Sequence, residues 1–236
     1  MKKISLFGIL VLLFVACTSF ADEYSAGKYS LQVSNHGDFS LMYDGEPLLF
    51  SGTLSVHNSK WEWILFDRQF IPTLSAKEEN NTTVVTLSMS RPGVMENFKQ
   101  TMTLSPDGLE VMYTGVALCD IFNIENSLNL PEILFAGQAY SCRIHSGQTV
   151  TGDFPEDRPT KSNDDMCGGF VINGKFEFDG GILVIEPNTA KVRLQDMRNS
   201  SKISYYSLGW VFRGFPKGNE FKQGYKITVV PTNDDL

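Results

Sequence analysis

The sequence has few of the residues from which metal sites and common catalytic signatures are built. Its 236 residues include 3 His and 4 Cys. The histidines show no HxH or HExxH spacing, and no two cysteines form a CxxC pattern. A Gly-rich phosphate loop, a serine nucleophile elbow and an EF-hand pattern are also missing. The sequence therefore predicts no metal and no cofactor, and it assigns no catalytic residue.

Basic residues are also scarce. There are 20 Lys and Arg residues against 27 Asp and Glu residues, which gives a formal net charge of -7. Loss of an N-terminal leader carrying Lys2 and Lys3 would make the chain more acidic still. An acidic surface argues against nucleic acid and against an anionic membrane face as partners, and it disfavours polyanionic substrates.

Only one long apolar run is present, at the N-terminus. Met1, Lys2 and Lys3 form a short basic start, and positions 4–16 are almost entirely apolar. This run is too short to span a bilayer as a mature helix, so it is typical of the central region of a bacterial signal peptide. The pattern predicts a leader over residues 1–21 and a single exported domain over 22–236, in the periplasm or outside the cell.

The end of the leader has two interpretations. Ser19-Phe20-Ala21 carries small residues at the first and third positions before a cut, which favours simple cleavage after Ala21. Positions 14–17, with the sequence FVAC, instead resemble a lipobox in which Cys17 is lipidated and becomes the first mature residue. The first alternative predicts a free protein and the second a protein anchored in the cell envelope.

The remainder of the sequence lacks a helical pattern. No window of ten or more residues keeps apolar side chains at helical spacing between proper caps. Apolar and polar residues instead alternate in short runs broken by turns, which gives about 16 to 18 strand candidates. An immunoglobulin-like sandwich has only about seven to nine strands. The fold class predicted is therefore all-β, as a large antiparallel two-sheet β-sandwich.

Glycine-containing turns set the predicted strand boundaries. Hairpin turns are predicted at positions 35–38 (NHGD), at Asp44-Gly45 and at Asp107-Gly108. A type I′ turn is predicted at Asn173-Gly174, because both residue types accept a positive φ. Positions 147–168 are long and polar, and they predict an exposed loop.

Two tryptophans are candidate ligand-binding residues. Trp61 and Trp63 alternate across Glu62, so in a strand both rings point to one face. Indole rings stack on the apolar faces of sugars, and the indole N–H can serve a hydroxyl. Burial in the core beside Leu65 and Phe66 is the alternative, and the usual burial of large aromatic side chains favours it.

Two histidines and one charged pair complete the candidate site. His57 and His145 could each face a cleft, and acid–base work would require a partner within hydrogen-bond reach. Asp196 and Arg198 are two residues apart and share a face of a regular strand. Such a pair can hold sugar hydroxyls or can be a structural ion pair, and the structural interpretation is favoured.

The cysteines permit one disulfide in an oxidising compartment. Cleavage after Ala21 leaves Cys119, Cys142 and Cys167. Cys142 and Cys167 are the preferred pair, because both lie at the edges of strand-like segments. Cys119 follows the apolar run 116–118 and is predicted to be a small buried hydrophobic residue.

Several segments resemble a known group of domains. These are residues 44–47 (DGEP), 128–137 (LNLPEILFAG), 192–198 (VRLQDMR) and 205–212 (YYSLGWVF). Together they resemble the β-supersandwich domains of galactose mutarotase-like fold that accompany bacterial polysaccharide-processing enzymes. Such domains are often non-catalytic partners of glycoside hydrolases or lyases, whereas the mutarotases use a His and a carboxylate.

The resemblance implies a link to carbohydrate and leaves three hypotheses. The first is an exported domain that binds or positions carbohydrate without catalysis. The second is a sugar epimerase, mutarotase or polysaccharide lyase that uses His57 or His145 with a carboxylate. The third is an envelope interaction protein or lipoprotein with no small ligand.

Overall fold

The protein is described by a computed structural model over residues 22–52, 54–66, 72–161, 165–188, 191–199 and 202–232. The predicted leader and Cys17 lie outside these residues.

The described residues form β-strands almost throughout, as the alternating pattern predicts. One short helix, α1 (Glu132–Phe135), follows the tenth strand. The strands are β1 (Asp22–Ala26), β2 (Tyr29–Val33), β3 (Phe39–Tyr43), β4 (Glu46–Ser51), β5 (Ser55–His57), β6 (Thr73–Glu79), β7 (Thr82–Arg91), β8 (Met95–Ser105), β9 (Gly108–Ala117), β10 (Ile121–Pro131), β11 (Ala139–Ile144), β12 (Thr149–Asp153), β13 (Val171–Phe178), β14 (Gly181–Pro187), β15 (Val192–Asp196), β16 (Tyr205–Phe215) and β17 (Glu220–Pro231).

The strands form two antiparallel sheets. The first sheet has eight strands in the order β1-β2-β3-β4-β10-β16-β15, and β5 also pairs with β10. The second sheet has nine strands in the order β12-β11-β13-β14-β17-β9-β8-β7-β6. The prediction of a large antiparallel two-sheet β-sandwich is confirmed.

The core lies between the two sheets and follows from the period-two alternation of apolar residues. In β2, for example, Tyr29, Leu31 and Val33 are buried while the residues between them are partly exposed. Aromatic side chains meet across the interface, where the rings of Tyr113 in β9 and Trp210 in β16 have centroids 6.3 Å apart. Each large apolar side chain buried in this way contributes roughly 1.5–3 kcal/mol to folding.

Three of the predicted turns join consecutive strands as expected. Positions 35–38 connect β2 to β3, and Asp107-Gly108 connects β8 to β9. Asp44 and Gly45 connect β3 to β4 with φ of 52° and 85°. Two consecutive positive φ values are what a type I′ turn requires, and the twist of such a turn matches the twist of the two strands that it joins.

The predicted turn at Asn173-Gly174 is wrong, because β13 runs through both residues. Gly174 pairs with Cys142 in β11 on one side and with Ile185 in β14 on the other. A Cβ at Gly174 would lie 2.5 Å from Cζ of Phe176. The glycine therefore makes room for a core ring inside a central strand, rather than reversing the chain.

The cysteines follow part of their predicted arrangement. Cys142 and Cys167 are neighbours, and both are free thiols in the structure. Both are buried, and the interaction with the Cys167 thiol, together with burial, raises the pKa of the Cys142 thiol. Cys119 is only half-buried just after β9, rather than in the core.

Candidate functional site

The outer face of the first sheet carries a continuous groove, formed by two adjoining clefts. The polar cleft, of about 390 Å³, lies over β10 and β16 and includes Trp63, Glu125, Asn129 and Ser207 in its lining. The second, of about 490 Å³, lies over β15 and β16, and its lining consists of Phe170, Lys191, Arg193, Gln195, Gly209, Val211 and Arg213. We call this second part the basic cleft. The two share Gln195, Gly209 and Val211.

The floor of the groove follows from the alternation of β16. Leu208 and Trp210 are buried in the core, so the residues between and beside them face outward. Gly209 lies at the centre of this outer row, paired with Ser127 of β10 and with Arg193 of β15. Because Gly209 has no side chain, the floor stays open between the two flanking strands.

A hairpin after β5 carries both candidate tryptophans at one end of the groove. Its two arms are joined by the hydrogen bond from Ile64 N to Val56 O, at 2.9 Å. Asn58 closes the tip, since its Oδ1 accepts hydrogen bonds from the backbone N–H groups of Lys60 (2.9 Å) and Glu62 (3.1 Å). Its Nδ2 donates to the Glu62 carboxylate at 2.7 Å. The tip is thus an Asx-type turn fixed by a single side chain.

The tryptophans are exposed rather than in the core, against the favoured interpretation of the sequence. The exposed fraction is 52% for Trp61 and 54% for Trp63. Trp61 also has a φ of 62°, which is rare for a bulky residue, and strained backbone of this kind clusters at functional sites. Phe122 of β10 packs edge-on against Trp61. We call these three side chains the aromatic platform.

His57 lies beneath the platform and is 6% exposed. Its ring centroid is 5.5 Å from that of Trp61 and 5.8 Å from that of Trp63, so both indoles do share the face predicted for them. His57 Nδ1 lies 3.4 Å from Asn123 Nδ2, which also donates to Glu125 Oε2 at 2.9 Å. Because the Asn123 amide nitrogen can only donate, His57 Nδ1 is the acceptor in this contact. Asn123 thus joins His57 to the polar cleft.

His145 lies elsewhere. It is exposed in the turn between β11 and β12 of the second sheet, where its backbone N–H donates to Phe170 O at 2.8 Å. The structure therefore does not bring His145 together with His57 or the tryptophans.

Asp196 and Arg198 form a buried structural ion pair. Arg198 Nε and Nη2 donate to the two Asp196 carboxylate oxygens at 3.0 and 2.9 Å. The exposed fraction of the Arg198 side chain is 0%. A ligand on the surface does not reach either side chain in this conformation, so the pair does not belong to the groove.

Arg198 instead anchors part of the polar stretch predicted to be a loop. Its Nη2 donates to the carbonyl oxygens of Pro155 (2.7 Å) and Asp157 (3.2 Å), and its guanidinium lies 4.2 Å from the ring centroid of Tyr206. Burial lowers the pKa of Arg198, but the bond to Asp196 and nearby negative charges outweigh this and raise it. The guanidinium stays charged and satisfied.

Several residues with a role at this site were not predicted as functional. Phe122 is brought to Trp61 by the pairing of β5 with β10, in which His57 lies opposite Asn123. Lys191, Arg193 and Arg213 come together only because β15 and β16 are neighbours. The alternation of Arg193 with buried Val192 and Leu194 was the available signal that its side chain faces outward.

The described ranges carry neither a membrane-spanning helix nor a metal-binding cluster. No helix there has both the length and the apolar character needed to cross a membrane. Nor does that part of the chain bring three or more His, Cys, Asp or Glu side chains together in a group that could hold a metal ion.

Sequence comparison yields no relative, since no protein-family model matches the chain and no curated protein matches it at a significant level. Comparison of the fold with solved structures does find similar proteins. A putative aldose 1-epimerase from Escherichia coli K12 superimposes with a TM-score of 0.55 and 11% identity, over 89% of this chain and 98% of that one. A galactose mutarotase-like protein from Clostridium acetobutylicum superimposes with a TM-score of 0.57 and 10% identity, over 89% of this chain and 95% of that one.

Larger enzymes contain the same unit. The α-N-acetylgalactosaminidase NagBb from Bifidobacterium bifidum superimposes with a TM-score of 0.58 and 14% identity, over 89% of this chain and 36% of that one. Identities this low establish the fold alone. With two antiparallel sheets in this topology, the chain has the galactose mutarotase-like β-sandwich fold.

Proposed function

We propose that the protein is an exported carbohydrate-binding domain that holds a sugar in the groove without transforming it. The observation that carries the proposal is the exposed aromatic platform at the end of the polar cleft. Trp61 and Trp63 leave more than half of their surface in solvent, although folding normally buries such side chains.

The groove supplies both kinds of contact that a sugar requires. Indole faces stack on apolar C–H surfaces, and the polar cleft beside them offers amide and hydroxyl groups from Asn129, Gln195 and Ser207. Asn58 fixes the hairpin tip that carries Trp61, and Phe122 packs against the Trp61 ring, so little side-chain entropy is lost when a ligand binds.

The structural neighbours support a carbohydrate ligand. They are a putative aldose 1-epimerase, a galactose mutarotase-like protein and an α-N-acetylgalactosaminidase, and all three are named for sugars. This support is by analogy of fold, so the residues of the groove carry the main weight.

A glycan array probed with the chain over residues 22–236 tests the proposal. We expect binding to a restricted set of glycans, and the same array probed with a Trp61→Ala/Trp63→Ala variant should lose those signals. An array on which the folded wild-type protein binds no glycan contradicts the proposal.

A sugar-transforming enzyme is the second candidate, favoured by the link from His57 through Asn123 to Glu125. Glu125 lines the polar cleft and could exchange a proton with a bound sugar. Polarimetry with free aldoses and an absorbance assay for the unsaturated products of polyuronate cleavage test this. Activity that disappears in Glu125→Gln, with the fold retained, would establish the second candidate over the first.

Export is proposed from the N-terminal pattern. The mass of the mature N-terminus distinguishes the two forms, since cleavage after Ala21 yields a free chain beginning at Asp22. A lipid-modified Cys17 as the first residue would instead establish an envelope-anchored lipoprotein, which is one of the two forms that the third hypothesis allows.

A further inference from the structure

The basic cleft contrasts with the charge of the whole protein. The chain carries 27 acidic and 20 basic residues, yet the lining of this cleft includes Lys191, Arg193 and Arg213 and no Asp or Glu. The acidic composition disfavours polyanionic ligands at the level of the whole surface. The positive charge of the basic cleft instead favours an anionic ligand there.

The three cations lack acidic partners among the described residues. No Asp or Glu there lies within ion-pair distance of Lys191, Arg193 or Arg213. Glu125, in the adjoining polar cleft, is paired in register with Val211 and is hydrogen-bonded by Asn123 instead. Like charges gathered in one cleft repel one another, and an anion bound between them relieves this repulsion.

The two arginines reach the groove from neighbouring strands. Arg193 lies over the ring of Phe170, with its Cζ 5.1 Å from the centroid, so a cation–π contact orients it. Arg213 extends from the outer row of β16 that also contains Gly209. Guanidinium groups suit carboxylate and sulfate oxygens, because their parallel N–H groups form paired hydrogen bonds.

The strand register places the cations within reach of the platform. His57, Asn123 and Arg213 form one row across β5, β10 and β16. Two interstrand spacings separate the backbones of His57 and Arg213 by about 10 Å. One ligand can therefore stack on the indoles above His57 and present a charged group to Arg213.

We propose that the carbohydrate bound by this groove is acidic, with a carboxylate or sulfate group held in the basic cleft by Arg193 and Arg213. The inference rests on the proposed carbohydrate-binding function and specifies its ligand class. Neutral sugars would fill the aromatic end and leave the cationic end without a partner.

Matched pairs of glycans test the charge requirement directly. Calorimetric titration of the chain over residues 22–236 compares polygalacturonate with its methyl-esterified, uncharged form, and dextran sulfate with dextran. We expect at least tenfold tighter binding of the charged member in one pair, which also identifies carboxylate or sulfate as the recognised group. The preference should weaken as salt is added, because exposed charges are screened.

Two double variants separate a specific cleft from general attraction. Arg193→Gln/Arg213→Gln should reduce affinity for the charged glycan at least tenfold. Lys222→Gln/Lys226→Gln removes the same charge from exposed positions on β17 of the second sheet and should leave affinity unchanged. Equal losses in both variants, or equal binding of charged and neutral glycans, overturn the acidic-ligand inference and leave carbohydrate binding standing. Failure to bind any glycan overturns both.

Discussion

The ring of Trp61 packs edge-on against that of Phe122, with centroids 5.3 Å apart and planes at 79°. This contact joins the tip of the hairpin after β5 to the start of β10. T-shaped aromatic pairs add about 0.5–1.5 kcal/mol to the burial of their area. The contact therefore fixes the orientation of the Trp61 ring while more than half of its surface stays available to a ligand.

Asn58 determines whether the platform is preorganised. We predict that Asn58→Ala weakens glycan binding about threefold to tenfold, because the freed turn must be ordered again on binding. Stability should fall by about 1 kcal/mol, as for the loss of a comparable capping side chain. Glycan titration and urea denaturation measure the two effects.

Asn58→Asp is the matched control for the turn. Its carboxylate keeps the acceptor for the N–H groups of Lys60 and Glu62, and the variant also carries Glu62→Gln, because the new carboxylate would otherwise lie against that of Glu62. We expect affinity close to that of the wild type. Equal losses of glycan affinity in the Asn58→Asp and Asn58→Ala variants would show that the two backbone hydrogen bonds do not position the platform.

Arg198 is predicted to be essential for stability rather than for binding. Arg198→Ala leaves the buried Asp196 carboxylate without its partner, and breaking a buried pair costs about 3–5 kcal/mol. Urea denaturation should show this loss. Affinity measured under conditions where the variant remains folded should be unchanged.

Arg158 provides the matched control for Arg198, since both contact the Glu132 carboxylate. The side chain of Arg158 is 38% exposed, so Arg158→Ala should cost no more than about 1 kcal/mol. Equal losses in the two variants would contradict the assignment of Arg198 as the buried anchor.

Gly174 is predicted to be required by the ring of Phe176. Gly174→Ala should destabilise the protein by about 1–3 kcal/mol, because the added Cβ overlaps a fully buried ring. The double variant Gly174→Ala/Phe176→Leu should lose less than the sum of its two single variants. Thermal denaturation of the three proteins measures this, and simple additivity would contradict the explanation.

The contact between Cys142 and Cys167 leads to a redox prediction. Neighbouring thiols form a disulfide in an oxidising compartment, and the proposed export would take the chain through one. Alkylation of the exported, unfolded chain without reductant should label Cys119 and spare the other two. Cys142→Ser should then make Cys167 reactive. Labelling of Cys142 and Cys167 in the wild-type chain would contradict the pairing.

The fold could be predicted from the sequence because its signals are local. Alternation identified β2 and β3, and Asp44-Gly45 marked the turn that follows. The turn predicted at Asn173-Gly174 was wrong because these two residues carry the same local signal as a true turn. Only the neighbouring strands and the Phe176 ring explain why the chain continues straight there.

The candidate site was harder to predict because it depends on which strands become neighbours. Alternation placed Trp61 and Trp63 on one face, but it does not say whether that face meets the core. Phe122 joins them only through the pairing of β5 with β10. Likewise, Arg193 and Arg213 lie on separate strands, and nothing in their local sequence shows that they line one cleft.

Carbohydrate binding through the aromatic platform is best tested by the affinity of the Trp61→Ala/Trp63→Ala variant for the strongest glycan found on the array. Ile133→Ala, which truncates an exposed apolar residue of α1, is the control. Loss of two stacking residues should cost at least about 2 kcal/mol, or roughly thirtyfold in affinity, while the melting temperature and the control change little. A tryptophan variant that is folded and binds as tightly as the wild type would contradict the account.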